Sequence, residues 1–460
     1  MATYLDHNAG SPLRPEAMDA IARFIDDGGG NPSSVHRAGQ SARRMLEEAR
    51  ARVAALIGAD ARQIIFTSGG TEANNFAIEG ATRAVPLRHK VISSAIEHSS
   101  ILKPLDALSQ VARIVPDREG RLPTDEIASH IDRDTALVTI ALANSEVGTI
   151  QDVGAIADAA SAAGALLHLD AAQAVGRIPV RVAELRCDLM TISGHKLGAP
   201  AGIGALFVRD PSILTATMRG GPQESGLRAG TPNLLGAIAF GAAAEAVREH
   251  FHAEALRIST LANELLAELL DAIAGLRLNG PIRDRLPNTL NLTFPNVLGE
   301  SMLIALDLEG IQVSMGSACA AGAVEPSHVL LAMGLTHDEA RSSLRLSLGW
   351  NTTRNDIARA ANIIPRVWRR VADAEPPTPP RGHMEHLRRS AASWSRCPVG
   401  STARSRLRCC ASKVTTWSAS RCDSHPMRRR FPASVASPAV RTTTSKMRGA
   451  FPSGWAFRSM

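Results

Sequence analysis

Five apolar runs in the first half of the chain each stop at a cluster of polar or small residues, and no other feature constrains the fold as much. Gln63-Ile64-Ile65-Phe66 precedes Thr67-Ser68-Gly69-Gly70-Thr71, and Lys90-Val91-Ile92-Ser93-Ser94 leads to Glu97-His98. Residues 136–142 run into Asn144, residues 165–169 into Asp170, and Asp188-Leu189-Met190-Thr191-Ile192 into Ser193-Gly194-His195-Lys196. Between them, residues 71–84 and 153–163 have the Ala-rich, amphipathic pattern of crossover helices. Strands alternating with helices imply βαβ units and a mainly parallel sheet. Such sheets bind ligands outside the carboxyl ends of their strands, so the polar stops belong to one rim.

The rest of the chain fits an α/β fold with two parts. Residues 41–57 read as a capped amphipathic helix, and 234–278 as long helices. Leu290-Asn291-Leu292-Thr293-Phe294 and Leu344-Arg345-Leu346-Ser347-Leu348 alternate as half-exposed strands do, and a last helix covers 354–374. The expected organisation is a large domain over 1–255, whose sheet is flanked by helices, and a smaller C-terminal α/β domain over 256–375. The first residues are placed so that they could pack on the small domain. A Pro-rich break at Glu375-Pro376-Pro377-Thr378-Pro379-Pro380 then opens a Ser/Arg/Pro-rich tail over 376–460.

Charge and cysteine usage separate the body from this tail. Residues 376–460 carry 16 Lys+Arg against 2 Asp+Glu, a net of +14; the whole chain is +7, which leaves −7 for residues 1–375. The tail composition cannot bury enough apolar area to offset its ordering entropy, and it reads as disordered or as an out-of-frame extension. Of six cysteines only Cys187 and Cys319 lie in the body, too few for a disulfide framework. No apolar stretch reaches the roughly 20 residues of a membrane span, and the first residues lack a secretory pattern. A cytoplasmic location without a membrane partner is expected.

The rim residues suit an aldehyde cofactor with a phosphate handle. Lys196 can form a Schiff base with pyridoxal phosphate, and Asp170 can supply the carboxylate that keeps the pyridine nitrogen protonated. Gln173 could reach the ring's phenolic oxygen, and His98 could stack on the ring. Gly70 and Thr71 open a helix after a strand, which offers free N–H groups and a favourable dipole to phosphate; Ser193 and His195 can add donors. Each feature alone has a plainer reading: a solvated lysine, a capping aspartate, a glycine turn, a structural histidine. Their coincidence on one rim carries the weight.

These motifs in this order closely resemble the NifS/IscS-type cysteine desulfurases, fold-type I enzymes of the class V aminotransferase superfamily. The resemblance rests on Tyr4-Leu5-Asp6, Gly30-Asn31-Pro32-Ser33-Ser34-Val35-His36, Phe66-Thr67-Ser68-Gly69-Gly70-Thr71-Glu72-Ala73-Asn74-Asn75 and Glu97-His98. It continues through Asn144-Ser145-Glu146-Val147-Gly148-Thr149, His168-Leu169-Asp170-Ala171-Ala172-Gln173, Ser193-Gly194-His195-Lys196-Leu197, Gly220-Gly221-Pro222-Gln223-Glu224, Arg228-Ala229-Gly230-Thr231 and Gly316-Ser317-Ala318-Cys319. Glu325-Pro326-Ser327-His328-Val329 makes the NifS-like branch look nearest. His7-Asn8-Ala9-Gly10-Ser11 and Ser145 depart from the usual pattern, and nothing after about residue 375 matches it.

The resemblance implies a homodimer acting on L-cysteine. Lys196 would bind the cofactor covalently, and His98 would stack on it and move protons. Thr231 would reach the phosphate from a second subunit, Asn144 and Gln173 would position cofactor and substrate oxygens, and Arg345 would grip the substrate carboxylate. Cys319 would attack the substrate sulfur as a thiolate, keep it as a persulfide, and pass it to an iron–sulfur scaffold or another acceptor. A transient iron–sulfur ligation by Cys319 through its persulfide is a further implication. Cys187, beside a core strand, reads as an inert small hydrophobe.

Three other readings compete. The same fold could act as a selenocysteine lyase or cysteine sulfinate desulfinase, or as a small-amino-acid transaminase, none of which needs a persulfide on Cys319. Nucleic-acid binding through the basic tail is a reading from another class, but no folded binding module is visible there.

Overall fold

The first described residues pair with residues more than 300 positions further along the chain. A computed structural model describes residues 2–26, 29–315 and 325–374. The proposed tail and Cys319 lie outside the described residues. Strand β1 (Thr3–Tyr4) pairs in parallel with a strand at Ile311–Gln312, and Asp6 bridges to Ser347.

Each of the five apolar runs forms a strand: β2 (Ile64–Thr67), β3 (Lys90–Ser94), β5 (Thr135–Ala141), β6 (Leu166–Asp170) and β7 (Leu189–Ser193). They share a seven-stranded sheet with β4 (Gln110–Ile114) and β8 (Gly204–Val208), in the order β2-β8-β7-β6-β5-β3-β4. From β7 to β4 every pairing is parallel; β8 is antiparallel to both β7 and β2. Two reversals cancel, so β2 runs with β7 and all five polar stops lie on one rim. Ile, Val and Leu fill these strands because both faces of the sheet are covered.

Helices Gly70–Ala84 and Gly154–Ala163 are the expected crossovers, and the helix at Arg37–Ile57 ends on Gly58 in the left-handed conformation, φ 69°. Glycine is required where β8 passes the turn after β2. A Cβ on Gly204 would lie 2.7 Å from the backbone of Gly69, whose own φ is 153°.

Residues 234–272 form one helix of 39 residues, Leu234–Ala272, not several. Phe240, Ala243 and Val247 of its first half enter the core around the large sheet. Leu261, Leu265 and Leu269 of its second half enter a separate core with Leu290, Leu292, Leu344 and Leu346. That core covers an antiparallel sheet of β9 (Arg277–Asn279), β10 (Thr289–Thr293) and, after β11 (Ile311–Gln312), β12 (Ser343–Ser347), in the order β12-β10-β9. The half-exposed reading of β10 and β12 is corrected here: all five residues of each strand are buried. Their polar side chains face other protein groups and not water: Thr293 and Ser343 meet Asn279 of β9, and others meet the rim loops. Asn291 donates to Glu146 O at 3.3 Å and Arg345 to Ser145 O at 3.2 Å. No described helix is long and apolar enough to cross a membrane.

Candidate active site

The five strand ends enclose a cavity of about 290 Å³. Gly70, Thr71, His98, Asn144, Asp170, Gln173, Ser193, His195 and Lys196 line it, all nine anticipated from sequence. Asp170 closes β6. Its Oδ1 accepts Ala172 N–H at 2.9 Å and its Oδ2 accepts the Asn74 amide at 2.8 Å.

Lys196 follows β7 in a single 3₁₀ turn, Gly194–Lys196. Its amine donates to Ala9 O at 2.8 Å and to Asn8 O, both on the N-terminal segment that crosses the site. Burial pushes the amine down to about 7; the Arg177 and Arg345 cations act in the same direction, against Asp6 and Asp170. A lysine so shifted is neutral in a large fraction of molecules at neutral pH, as a nucleophilic amine must be.

His195 stands 3.0 Å from the Ser193 hydroxyl through Nδ1, and burial lowers its pKa to about 4. His98 is lowered as well, first by burial. Gln173 donates from Nε2 to Asn8 O at 3.0 Å, while its Oε1 accepts from Arg177. The Asn144 side chain holds its own loop: Nδ2 donates to Ile96 O at 3.0 Å, and Oδ1 accepts Glu146 N–H at 2.9 Å and Val147 N–H at 3.1 Å.

Two anticipated residues stand outside the cavity wall. Arg345, on β12, pairs with Asp6 at 2.8 Å behind Ser145, and its buried Nε has no hydrogen-bond partner among the described residues. Thr231 is exposed after Gly230 and does not line the cavity. Cys187 is buried at the start of β7, at the far end of the sheet, and burial pushes its thiol up to about 12. Among the described residues no cluster of His, Cys, Asp and Glu could hold a metal ion.

Sequence reasoning gave no role to four residues that shape this site: Asn74, Ser100, Glu97 and Arg177. Glu97 is fully buried and raised to about 8 by burial, with Asp170 adding and the Ser94 hydroxyl, at 2.5 Å, opposing. Asn74 and Glu97 sit inside the quoted motifs; Ser100 and Arg177 follow them by two and four positions. An amide in a helix interior or an acid next to a strand end was the available signal, and it is weak.

The donor set fits pyridoxal phosphate. A carboxylate, a shifted amine, a ring-sized cavity, two hydroxyls and the N-terminus of a 15-residue helix converge on it. Gly70 completes the cradle: a Cβ there would lie 3.4 Å from the Ser193 Cβ, against the wall where a phosphate would sit.

Residues 3–360 match the family described as aminotransferase class V. The chain belongs to that family, whose members depend on pyridoxal phosphate. Several similar proteins within it are cysteine desulfurases. "Cysteine desulfurase IscS" of Dictyoglomus turgidum is 40% identical over 378 residues, covering 81% of this chain and 96% of that protein. A solved NifS-like protein from Rickettsia africae superposes with a TM-score of 0.73 at 32% identity, over 80% of this chain and 100% of that one. SspA, solved in complex with cysteine, gives 0.67 at 32%, over 75% and 98%.

Proposed function

We propose that this chain is a pyridoxal phosphate-dependent cysteine desulfurase, converting L-cysteine to L-alanine and holding the sulfur as a persulfide on Cys319. The observation that carries the reading is the convergence of Lys196, Asp170, His98 and Gln173 on one small cavity, in a chain 40% identical to a cysteine desulfurase. The solved complex of SspA with cysteine supports the substrate.

Bound pyridoxal phosphate supplies an electron sink for bonds broken at the substrate carbon. Asp170 would hold a proton on the ring nitrogen, which sustains that sink. Thr71, Ser193, His195 and the N–H groups at Gly70 would hold the phosphate, and Gln173 Nε2 would donate to the phenolic oxygen. His98 would lie over the ring. Lys196 Nζ would hold the cofactor covalently and, as a neutral amine, would move protons at the substrate carbon. Arg345 would bind the substrate carboxylate through its guanidinium, and Asn144 would fix the loop that lines this end of the pocket.

The Cys319 thiolate takes the substrate sulfur; the carbon–sulfur bond breaks, its electron pair stays on carbon, and a proton added there completes alanine. Substrate and enzyme thiol thus become alanine and an enzyme persulfide, with no external oxidant. The persulfide would pass its outer sulfur to an iron–sulfur scaffold or another acceptor, and any iron ligation by Cys319 belongs to that transfer. A homodimer would bring Thr231 of a second copy to the phosphate, consistent with its exposure away from its own cavity. The division into residues 1–255 and 256–375 is supported by the core around Leu261, Leu265, Leu290 and Leu344, which is separate from the clusters that cover the large sheet.

Incubation with L-cysteine and a reductant tests the reading. Sulfide and alanine should appear together in equal amounts. Cys319→Ala should abolish sulfide release and leave the bound cofactor's absorbance in place. Unchanged sulfide release by Cys319→Ala would instead favour a lyase or desulfinase on the same fold.

A further inference from the structure

His98 caps the helix Ser99–Leu105, and its Nδ1 accepts the backbone N–H of Ser100 at 3.1 Å. The Ser100 hydroxyl stands 2.7 Å from the same nitrogen. The direction of that hydroxyl is decided at Asp170. A carboxylate oxygen accepts, so the group 2.8 Å from Asp170 Oδ2 must be the amide nitrogen of Asn74 and not its carbonyl. The second proton of that nitrogen points at Ser100 Oγ, 2.8 Å away. Ser100 Oγ therefore accepts from Asn74, and because Nδ1 already accepts the Ser100 backbone N–H, the hydroxyl proton is the group that fits the remaining contact with His98. Nδ1 faces two donors. The cost of this arrangement is visible: Asn74 Oδ1 is buried with no partner among the described residues, an orientation that the carboxylate imposes in spite of it.

We propose that Asn74 and Ser100 are positioning residues that lock His98 as the neutral imidazole with its proton on Nε2, a fixed hydrogen-bond donor and not a base. A proton on Nδ1 would be set against the N–H and O–H of Ser100. The other neutral tautomer and the imidazolium both need that proton, so both are disfavoured. The charged groups around the ring come from other elements: Asp170 at the end of β6, Lys196 after β7, and His328, whose Nε2 lies 3.0 Å from Glu97 O. Burial is the first cause that disfavours the imidazolium, Lys196 and His328 act in the same direction, and Asp170 opposes them. Proton movement at the substrate then falls to the Lys196 amine, while Nε2–H of His98 holds an oxygen or sulfur acceptor in place.

The consequence for catalysis rests on the desulfurase reading; the lock itself does not, and the two are tested apart. In holoenzyme labelled with ¹⁵N-histidine, the His98 resonances are found by subtracting the spectrum of a His98→Gln variant. The expected pattern is a protonated Nε2 and an unprotonated Nδ1, unchanged between about pH 6 and about pH 9. A protonated Nδ1 in that range overturns the proposal. Ser100→Ala should admit the other tautomer, shift the pH profile, and lower kcat/KM by about three- to tenfold, the worth of one hydrogen bond. Ser100→Thr keeps the hydroxyl and should restore both. If Ser100→Ala moves neither the resonances nor the pH profile, the lock is refuted. Expected resonances in a holoenzyme that releases no sulfide from L-cysteine would refute the function and leave the lock standing.

Discussion

Two cavities open at opposite ends of the large sheet. The one at the strand amino ends, about 590 Å³, is the larger and is lined by Cys187, Asp188 and Arg209 among others. The one at the carboxyl ends, about 290 Å³, is lined by Lys196, Asp170 and His98. Both hold an aspartate beside a strand and a nucleophilic side chain. At the amino end the aspartate is spent: Asp188 pairs with Arg209 at 2.5 Å and accepts Leu167 N–H at 2.7 Å. Burial there drives the thiol up to about 12, away from its reactive form. At the carboxyl end Asp170 has amide donors but no cationic partner among the described residues. Burial there drives the amine down to about 7, toward its reactive form. The same desolvation silences an acid and activates a base, because it always favours the neutral species. Cavity size does not separate a site from a crevice here; the sign of the shift and the unspent carboxylate do.

The largest break in this contrast comes from the two aspartates. Asp170→Asn keeps an acceptor for Ala172 N–H but removes the charge that would hold the ring-nitrogen proton. Sulfide release from L-cysteine should fall by about 10²- to 10³-fold, the scale of losing one preorganised electrostatic partner. Asp188→Asn, which disturbs only the Arg209 pair, should leave the rate within about twofold while lowering the denaturation midpoint. Equal losses of activity in the two variants would remove the distinction between the ends of the sheet.

How much of that distinction can be read from residues alone depends on the kind of information. The rim is legible because an apolar run followed by a polar stop marks both a strand and its end, and parallel pairing brings such ends together. Nine of the cavity-lining residues could therefore be named without a structure. The direction of β8 is not legible: Gly-Ala-Leu-Phe-Val at 204–208 is as apolar as its parallel neighbours, and periodicity carries no sign. The reading of β10 and β12 as half-exposed fails for a related reason. Alternation reports that one face is polar, not whether water or a rim loop covers it. Pairs such as Asn74 and Asp170, 96 residues apart, become neighbours only through packing. The roles of Asn74, Ser100 and Arg177 are of that kind.

A smaller effect sharpens the electrostatic half of the comparison. An unfolded lysine keeps its proton up to 10.5, whereas the buried Lys196 amine gives it up near 7. Between these values the unfolded state binds more protons, so this side chain makes stability rise with pH across the window, by at most about 1.4 kcal/mol per pH unit. Glu97 works the other way from 4.5 to about 8, since there the folded state binds the extra proton. Its contribution is common to the wild type and a Lys196→Met variant and cancels in the difference between them. Denaturant midpoints of the two apoproteins should therefore diverge at pH 7 in favour of Lys196→Met and converge toward about pH 10. Parallel curves would mean that the amine is not shifted.

The smallest effect is expected at the other end of the sheet. Cys187 is 2% exposed and packs in the main core, so its thiol serves as a small apolar group. Cys187→Ala removes one buried atom from beside β7 and should cost about 1 kcal/mol, with the rate of sulfide release unchanged. The folded wild type should resist alkylation at this residue at neutral pH, because a thiol held near 12 offers almost no thiolate to the reagent. Rapid modification of Cys187 without unfolding would show that the amino-end cavity exposes a reactive sulfur after all. The opposition between the two ends would then reduce to their aspartates.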